Sequence, residues 1–135
     1  MNELTIAATV ENIETVTDFV NVHLEALECP MKAQMQINIA IDELFGNIAH
    51  YAYHPEVGEA TVRVEVIQDP LSVVITFIDN GIPYDPLTAA GPDTTLSAEE
   101  RSIGGLGIYM VKKSMDEIAY RYENGSNILS IRKKI

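Results

Sequence analysis

Residues 61–81 read TVRVEVIQDPLSVVITFIDNG. The first seven alternate strictly, with Val62, Val64 and Val66 on one side, which predicts a strand from Thr61 to Ile67. Asp69-Pro70 supplies a turn. Leu71 to Ile78, LSVVITFI, is the most apolar segment and is expected to be the central strand. So short a connection links antiparallel neighbours. A chain built on such a hairpin is not a doubly wound nucleotide fold, in which strand and helix alternate throughout.

The flanking sequence extends this frame. Glu3 to Ala8 alternate weakly and suit a short edge strand. From Asn12 onward, Ile13, Val16, Val20, Leu24 and Leu27 recur at helical spacing, with Asn12 as the expected cap and Pro30 as the stop. A second helix is expected from Met31 to Tyr53, with Ile37, Ile41, Leu44, Ile48 and Tyr51 as its apolar stripe, before Pro55 and Gly58 break the chain. Residues 79–102 contain Pro83, Pro86, Gly91 and Pro92 and have little periodicity. A connection of that length in a small domain is usually a functional lid or disordered. A third helix is expected from Gly107 to Met115, then strands Glu117–Glu123 and Asn127–Arg132 joined by an Asn124-Gly125 hairpin turn. The order β-α-α-β-β-lid-α-β-β predicts one α+β domain over residues 1–135. It is a two-layer sandwich whose mostly antiparallel mixed sheet is covered on one face by three helices.

The chain has 135 residues, 47% apolar and 21% charged, which suits one globular domain and excludes collagen-like, disordered and disulfide-scaffold classes. Its formal net charge is −11, so a direct nucleic-acid binder is not expected. Any phosphate must be held locally, by backbone N–H groups, a metal or a few placed cations. The single cysteine, Cys29, permits no internal disulfide, reads as a small core filler and fits a reducing cytosol. The opening MNELTIAATVENIE lacks the charge and apolar pattern of a signal peptide, and no apolar run reaches the ~18 residues of a membrane span. A cytoplasmic protein without membrane contact is the expectation. The methionine pairs Met31/Met35 and Met110/Met115 are expected in the core.

Three places carry chemistry. On the second helix, Glu43, Asn47 and His50 share a sector about 100° from the apolar stripe. A carboxylate there can take a proton and an amide oxygen can ligate Mg²⁺; a solvated polar face is the alternative. Asp79, at the end of the apolar strand, is placed to be desolvated and to seek a donor such as a purine amine, with Gly81 leaving room for a flat ring. A plain β-turn is the competing reading. Gly104, Gly105, Leu106 and Gly107 open a helix whose free N–H groups suit phosphate, with Arg101 as the cation of the lid. A glycine hinge with a solvated arginine would look the same. His50 and His54 stand four apart but lack a third metal ligand, and no P-loop or eukaryotic-type kinase motif is present.

Taken in order, IDELFGNIAHYAY (41–53), FIDNGIPYDP (77–86) and ERSIGGLGIYMVKKSMDEIAYRYENG (100–125) are similar to the N, G1 and G2 boxes of the GHKL ATP-binding superfamily. The short length and the YDP and EERxxGGLG pattern resemble its bacterial anti-sigma-factor serine/threonine protein kinase branch. The resemblance implies the Bergerat fold, Mg-ATP as cofactor and an ATP lid at about 82–104. It makes Glu43 the general base and Asn47 the Mg²⁺ ligand, and puts His50 and Tyr53 beside the ribose and phosphates. It makes Asp79 the acceptor for the adenine amine, with Gly81 beneath the ring. Gly104, Gly105, Leu106 and Gly107 become the phosphate cradle, with Arg101 near the γ-phosphate. The family's last box often has Gly-Thr; here Gly125 is followed by Ser126 and Asn127, either of which could replace the hydroxyl. By the same resemblance the substrate is an anti-sigma-factor antagonist, a sigma factor competes for binding, and the chain forms a homodimer. A non-catalytic ATP-dependent binding module and a slow ATP hydrolase are the alternatives.

Overall fold

A computed structural model describes residues 2–88 and 105–135. Five strands form one sheet: β1 Asn2–Ala7, β2 Glu59–Ile67, β3 Ser72–Asp79, β4 Glu117–Glu123 and β5 Ser126–Lys134, in the order β1-β2-β3-β5-β4. The expected mostly antiparallel sheet is antiparallel at every pairing. β3 is central and β1 is an edge, as the alternation and apolar content required. Asn124 and Gly125 both have positive φ, the geometry of a two-residue primed hairpin turn.

Side-chain alternation gives the sheet one buried face. Val62 and Val64 of β2, Ile75 and Phe77 of β3, and Leu129 and Ile131 of β5 all point into the core. The register aligns them in rows, Val62–Phe77–Leu129 and Val64–Ile75–Ile131. Three helices cover that face: α1 (Ile13–Ala26), α2 (Met31–Asn47) and α3 (Gly105–Ser114). They contribute Val16, Val20 and Leu24, then Ile37, Ile41, Leu44 and Phe45, then Ile108 and Val111. Cys29 packs partly buried against this core, and burial pushes its thiol above the usual range, which makes it a poor nucleophile.

Several expectations are corrected. Asn12 does not cap α1; its side-chain amide donates to the Ala7 carbonyl at 2.8 Å and ties the end of β1 to the helix start. Pro30 does not end α1. Glu28, at φ 55°, takes the left-handed position after the last turn. Glu28 N–H bonds to the Glu25 carbonyl and Cys29 N–H to the Leu24 carbonyl, a Schellman closure. The second helix is not regular to Tyr53. After Asn47 it widens into a π-helical turn, Ile48–Ala52, which shifts the residues that follow out of the α-helical phase. Tyr51 thereby leaves the apolar stripe. Met31, Met35 and Met110 are exposed, and only Met115 of the expected core methionines is buried.

The left-handed position at Glu28 suits glycine, since a Cβ there costs roughly 1 kcal/mol. Glu28→Gly is therefore expected to raise the urea midpoint of unfolding, a gain of up to about 1 kcal/mol after the entropy given to the unfolded chain. An unchanged or lowered midpoint would contradict the closure described for α1.

Candidate functional site

The C-terminal end of β3 and the end of α2 border a cavity of about 400 Å³. Leu44, Asn47, Ile48, Tyr51 and Ala52 line it from α2 and its π turn; Phe77 and Asp79 come from β3; Ile82, Tyr84 and Pro86 follow β3; Tyr120, Asn127 and Leu129 come from β4 and β5. Mostly apolar walls with a few polar groups, at this volume, suit a small organic ligand.

Asp79 and Asn127 are directly opposed in the β3–β5 register, and each is only 6% exposed. The Asn127 amide donates from Nδ2 to Asp79 Oδ1 at 3.0 Å and to the Ile82 carbonyl at 2.9 Å. Its Oδ1 accepts the Tyr84 N–H at 3.1 Å and the Tyr120 hydroxyl at 2.5 Å. That uses both amide hydrogens and both oxygen lone pairs. The carboxamide is held with its N–H groups toward Asp79, because the flipped form would set its oxygen against the carboxylate. Asp79 Oδ1 also accepts the Gly81 N–H at 2.9 Å. Among the described residues no hydrogen bond reaches Asp79 Oδ2, so the carboxylate keeps acceptor capacity for a donor in the cavity.

Burial raises the Asp79 pKa above the usual carboxylate range, while the Asn127 and Gly81 hydrogen bonds pull it down. The sign for stability follows. A carboxyl whose folded-state pKa is raised favours folding most below its ordinary value, and that contribution is lost as pH rises through the raised one.

Glu43 and Asn47 lie one helical turn apart, with Asn47 Nδ2 3.5 Å from Glu43 Oε1. Asn47 lines the cavity; Glu43 stands beside it, against the first turn of α3. Burial raises the Glu43 pKa, the Asn47 hydrogen bond opposes this, and the charge of Asp42 adds to it. A base poised above the ordinary carboxylate range is better matched to proton abstraction near neutrality. Gly107 leaves room here: a Cβ at that position would overlap the Glu43 carboxylate and push that flexible side chain from its place. At Gly81 the constraint is stricter, since its Cβ would overlap the backbone carbonyl of Ala52 that ends the π turn.

The structure thus brings Asn47 and Asp79 to one cavity, with Glu43, Gly81 and Gly107 next to it. His50 is exposed, its ring 5.9 Å from that of Tyr51, and is not among the cavity's lining residues. The Tyr53 hydroxyl donates to the Glu59 carbonyl at 2.6 Å and accepts the Asn80 N–H at 2.8 Å, so it pins the loop after β3. Gly105 and Leu106 begin α3; Arg101 and Gly104 lie outside the described residues. Of the two candidates after Gly125, Asn127 lies in the cavity, and Ser126 bonds the Asn80 side chain outside it at 2.6 Å. Sequence reasoning missed Tyr51, Tyr84 and Tyr120 as wall residues. Tyr84 sat in a motif already quoted, and Tyr120 shares a side of β4 with Ile118, a period-two signal that could have marked it.

Among the described residues no cluster of three or more His, Cys, Asp or Glu could hold a metal ion. Asn47 Oδ1 is a hard oxygen at the cavity, and Mg²⁺ is commonly held by one or two protein oxygens together with substrate phosphates. The donor set fits a phosphate-borne Mg²⁺ with Asn47 as its protein ligand.

Replacing Asn127 by Leu removes the donor that lowers the Asp79 pKa. Carboxyl ¹³C NMR titration is expected to place the Asp79 midpoint higher in Asn127→Leu than in the wild type. Unfolding should show a loss of about 2–3 kcal/mol from the groups left without partners. A midpoint that moves down would contradict the described network.

The chain matches the histidine kinase-like ATPase domain family over residues 6–133. It is 32% identical over 97 residues to a serine-protein kinase RsbW of Bacillus mycoides and, equally, to one of Bacillus cereus. Those alignments cover 69% of this chain and 59% of each relative, so the chain spans about three-fifths of the curated relatives it matches. A chain in the crystal structure of the SiaB–SiaC complex from Pseudomonas aeruginosa shares the fold, with a TM-score of 0.59 and 18% identity over 98% of this chain and 89% of that one. The sheet order, the acid at the end of β3, the paired Glu43 and Asn47, and these matches together lead to one conclusion: the chain belongs to the histidine kinase-like ATPase domain family of the GHKL superfamily, and is similar to curated RsbW serine-protein kinases.

Proposed function

We propose that this chain binds Mg-ATP and transfers the γ-phosphoryl group to a serine or threonine hydroxyl of a small anti-sigma-factor antagonist. The observation that carries the reading is the Asp79–Asn127 pair, which leaves acceptor capacity on a buried carboxylate inside an apolar cavity adjoining Glu43 and Asn47. An adenine amine is a suitable donor to Asp79, and the tyrosine and aliphatic walls suit a purine face. The names of the curated relatives support the kinase chemistry.

In this reading Asn47 Oδ1 would hold Mg²⁺, and the ion would neutralise phosphate charge against the −11 background. The N–H groups at the start of α3, from Gly105 to Gly107, face the phosphates, and Gly104, Leu106 and Arg101 complete the cradle. Glu43 takes the hydroxyl proton as the oxygen attacks. Its raised pKa suits that role. His50 is assigned to the ribose and phosphate side. Catalysis is then positioning plus electrostatics. The proposal includes a sigma factor as the competing partner, a homodimer and a cytoplasmic setting. No helix among the described residues is long and apolar enough to cross a membrane.

The test is Glu43→Ala with a purified antagonist and Mg-ATP. Calorimetric nucleotide affinity should stay within about threefold, while the phosphorylation rate falls by roughly 10²-fold or more, the scale of general-base loss. Normal phosphorylation by Glu43→Ala would remove the proposed base. Nucleotide-dependent antagonist binding by wild type without phosphoserine would make the domain a binding module. Phosphate release without any partner would make it a hydrolase. Asn47→Asp should alter the Mg²⁺ dependence of ATP binding, and an unchanged dependence would remove Asn47 as the ligand.

A further inference from the structure

The loop that follows β3 commits every backbone donor it has. Asn80 N–H goes to the Tyr53 hydroxyl and Gly81 N–H to Asp79 Oδ1. Ile82 N–H goes to the Ala52 carbonyl at 3.0 Å and Tyr84 N–H to Asn127 Oδ1. Pro83 has no N–H. This segment carries Ile82 and Tyr84 of the cavity wall beside Asp79. No amide of residues 80–84 is left to meet a ligand.

The side chains at this end are committed as well, and three groups of fixed polarity decide it. The Asp79 carboxylate and the Ile82 carbonyl accept only, and the Tyr84 N–H donates only. Between them the Asn127 amide has one orientation, with Nδ2 toward Asp79 and Ile82 and Oδ1 toward Tyr84. An oxygen so oriented obliges the Tyr120 hydroxyl to donate, which commits its one hydrogen. Burial raises the Tyr120 pKa; the Tyr84 backbone opposes this, and the charges of Asp85 and Asp79 add to the rise, so the phenol keeps that hydrogen. What stays open beside Asp79 is acceptor capacity, on its Oδ2. The other donors of the cavity wall, the Asn47 amide and the Tyr51 and Tyr84 hydroxyls, stand at the Glu43 end. Asn47 Nδ2 is 3.5 Å from Glu43, and the charges of Tyr51 and Glu43 add to burial in raising the Tyr84 pKa.

The geometry points to Asn127 as a specificity-determining residue: it makes the Asp79 end of the cavity acceptor-only, so a nucleobase is selected by its exocyclic amine alone and its ring nitrogen N1 is met by no donor. This inference goes beyond the contact between Asp79 and the adenine amine, and it rests on the nucleotide reading for the class of ligand. A 6-oxo purine brings a carbonyl oxygen to a wall that offers it no hydrogen. Its rejection comes from that unmet acceptor and from the facing carboxylate, not from want of room. The N1 lone pair of adenine is already unmet, so exchanging N1 for C–H removes no hydrogen bond.

The test is calorimetric titration of the full chain in Mg²⁺, at mildly alkaline pH so that Asp79 is ionised, with ATP, inosine triphosphate and 1-deaza-ATP as probes. Inosine triphosphate should bind more weakly than ATP by about tenfold or more, the scale of one unmet buried polar group. 1-Deaza-ATP should bind within about threefold of ATP. Asn127→Ala releases the Tyr84 N–H and the Tyr120 O–H as donors. Both nucleotides should then bind more weakly, and the preference for ATP over inosine triphosphate should narrow by about fivefold or more. Ser126→Ala, whose lost hydroxyl bonds Asn80 outside the cavity, should keep the wild-type preference.

A packing defect lowers both affinities and leaves their ratio alone, so an unchanged ratio in Asn127→Ala would overturn the inference. Equal binding of ATP and inosine triphosphate by the wild type would do the same. A wild type that loses more than about threefold on 1-deaza-ATP would show a residue or an ordered water donating to N1; the inference would fall and Mg-ATP binding would stand. That arm uses wild-type protein alone and is decisive whether or not Asn127→Ala folds. A wild type that binds none of the three probes overturns the nucleotide reading and this inference with it.

Discussion

The site depends on one buried contact, the Asn127 amide against the Asp79 carboxylate. Antiparallel register sets the two opposite each other at the end of the sheet's central pair. A slip of β5 by one residue against β3 would turn the Asn127 side chain to the other face. Burying a carboxylate is costly unless donors meet it, and two donors on one oxygen meet that demand here. The same amide also holds the loop after β3 through Ile82 and Tyr84, and β4 through Tyr120. One side chain therefore opposes the larger effect of burial on the acceptor's pKa and also shapes the cavity around it.

The second constraint acts at the end of α2. The π turn changes the helical phase just where the helix meets the cavity, which takes Tyr51 out of the core stripe and into the cavity wall. The carbonyl that closes this turn lies so near Gly81 that a side chain there has no room. Gly107 faces the Glu43 carboxylate on the other side, the movable end of a flexible side chain. In this structure both glycines answer to protein packing before any ligand is considered. The sheet end and the helix end are therefore coupled by a close backbone contact at which added atoms cannot be absorbed.

The acidic composition hides an uneven surface. α3 carries Lys112 and Lys113 and no acid, whereas α2 carries Lys32 together with Asp42 and Glu43. Opposite-charge pairs on the exposed side of the sheet, Arg63 with Glu3 and Arg132 with Glu117, are solvent-screened and add little to stability. The core rows of valine, isoleucine, leucine and phenylalanine supply the stability instead.

Much of the fold was legible from short-range pattern. Alternation in residues 61–78 marked the β2–β3 hairpin, and Asn124-Gly125 marked the last turn, because strand faces and turn dihedrals are decided within a few residues. Glu43, Asn47, Asp79 and Gly81 were legible for the same reason, each sitting in a local motif. The closure of α1 by Glu28, the π turn and the exposed methionines were not, since helical periodicity assumes an unbroken helix and a core wherever methionine occurs. The saturated bonding of Asn127 was least visible of all. Its partners on the β3 side lie 43 to 48 residues away and meet only once strand register has been chosen. Local sequence determined the elements and the candidate chemistry; tertiary packing alone decided which amide holds the acid, which glycine must stay bare and which apolar side chains face outward.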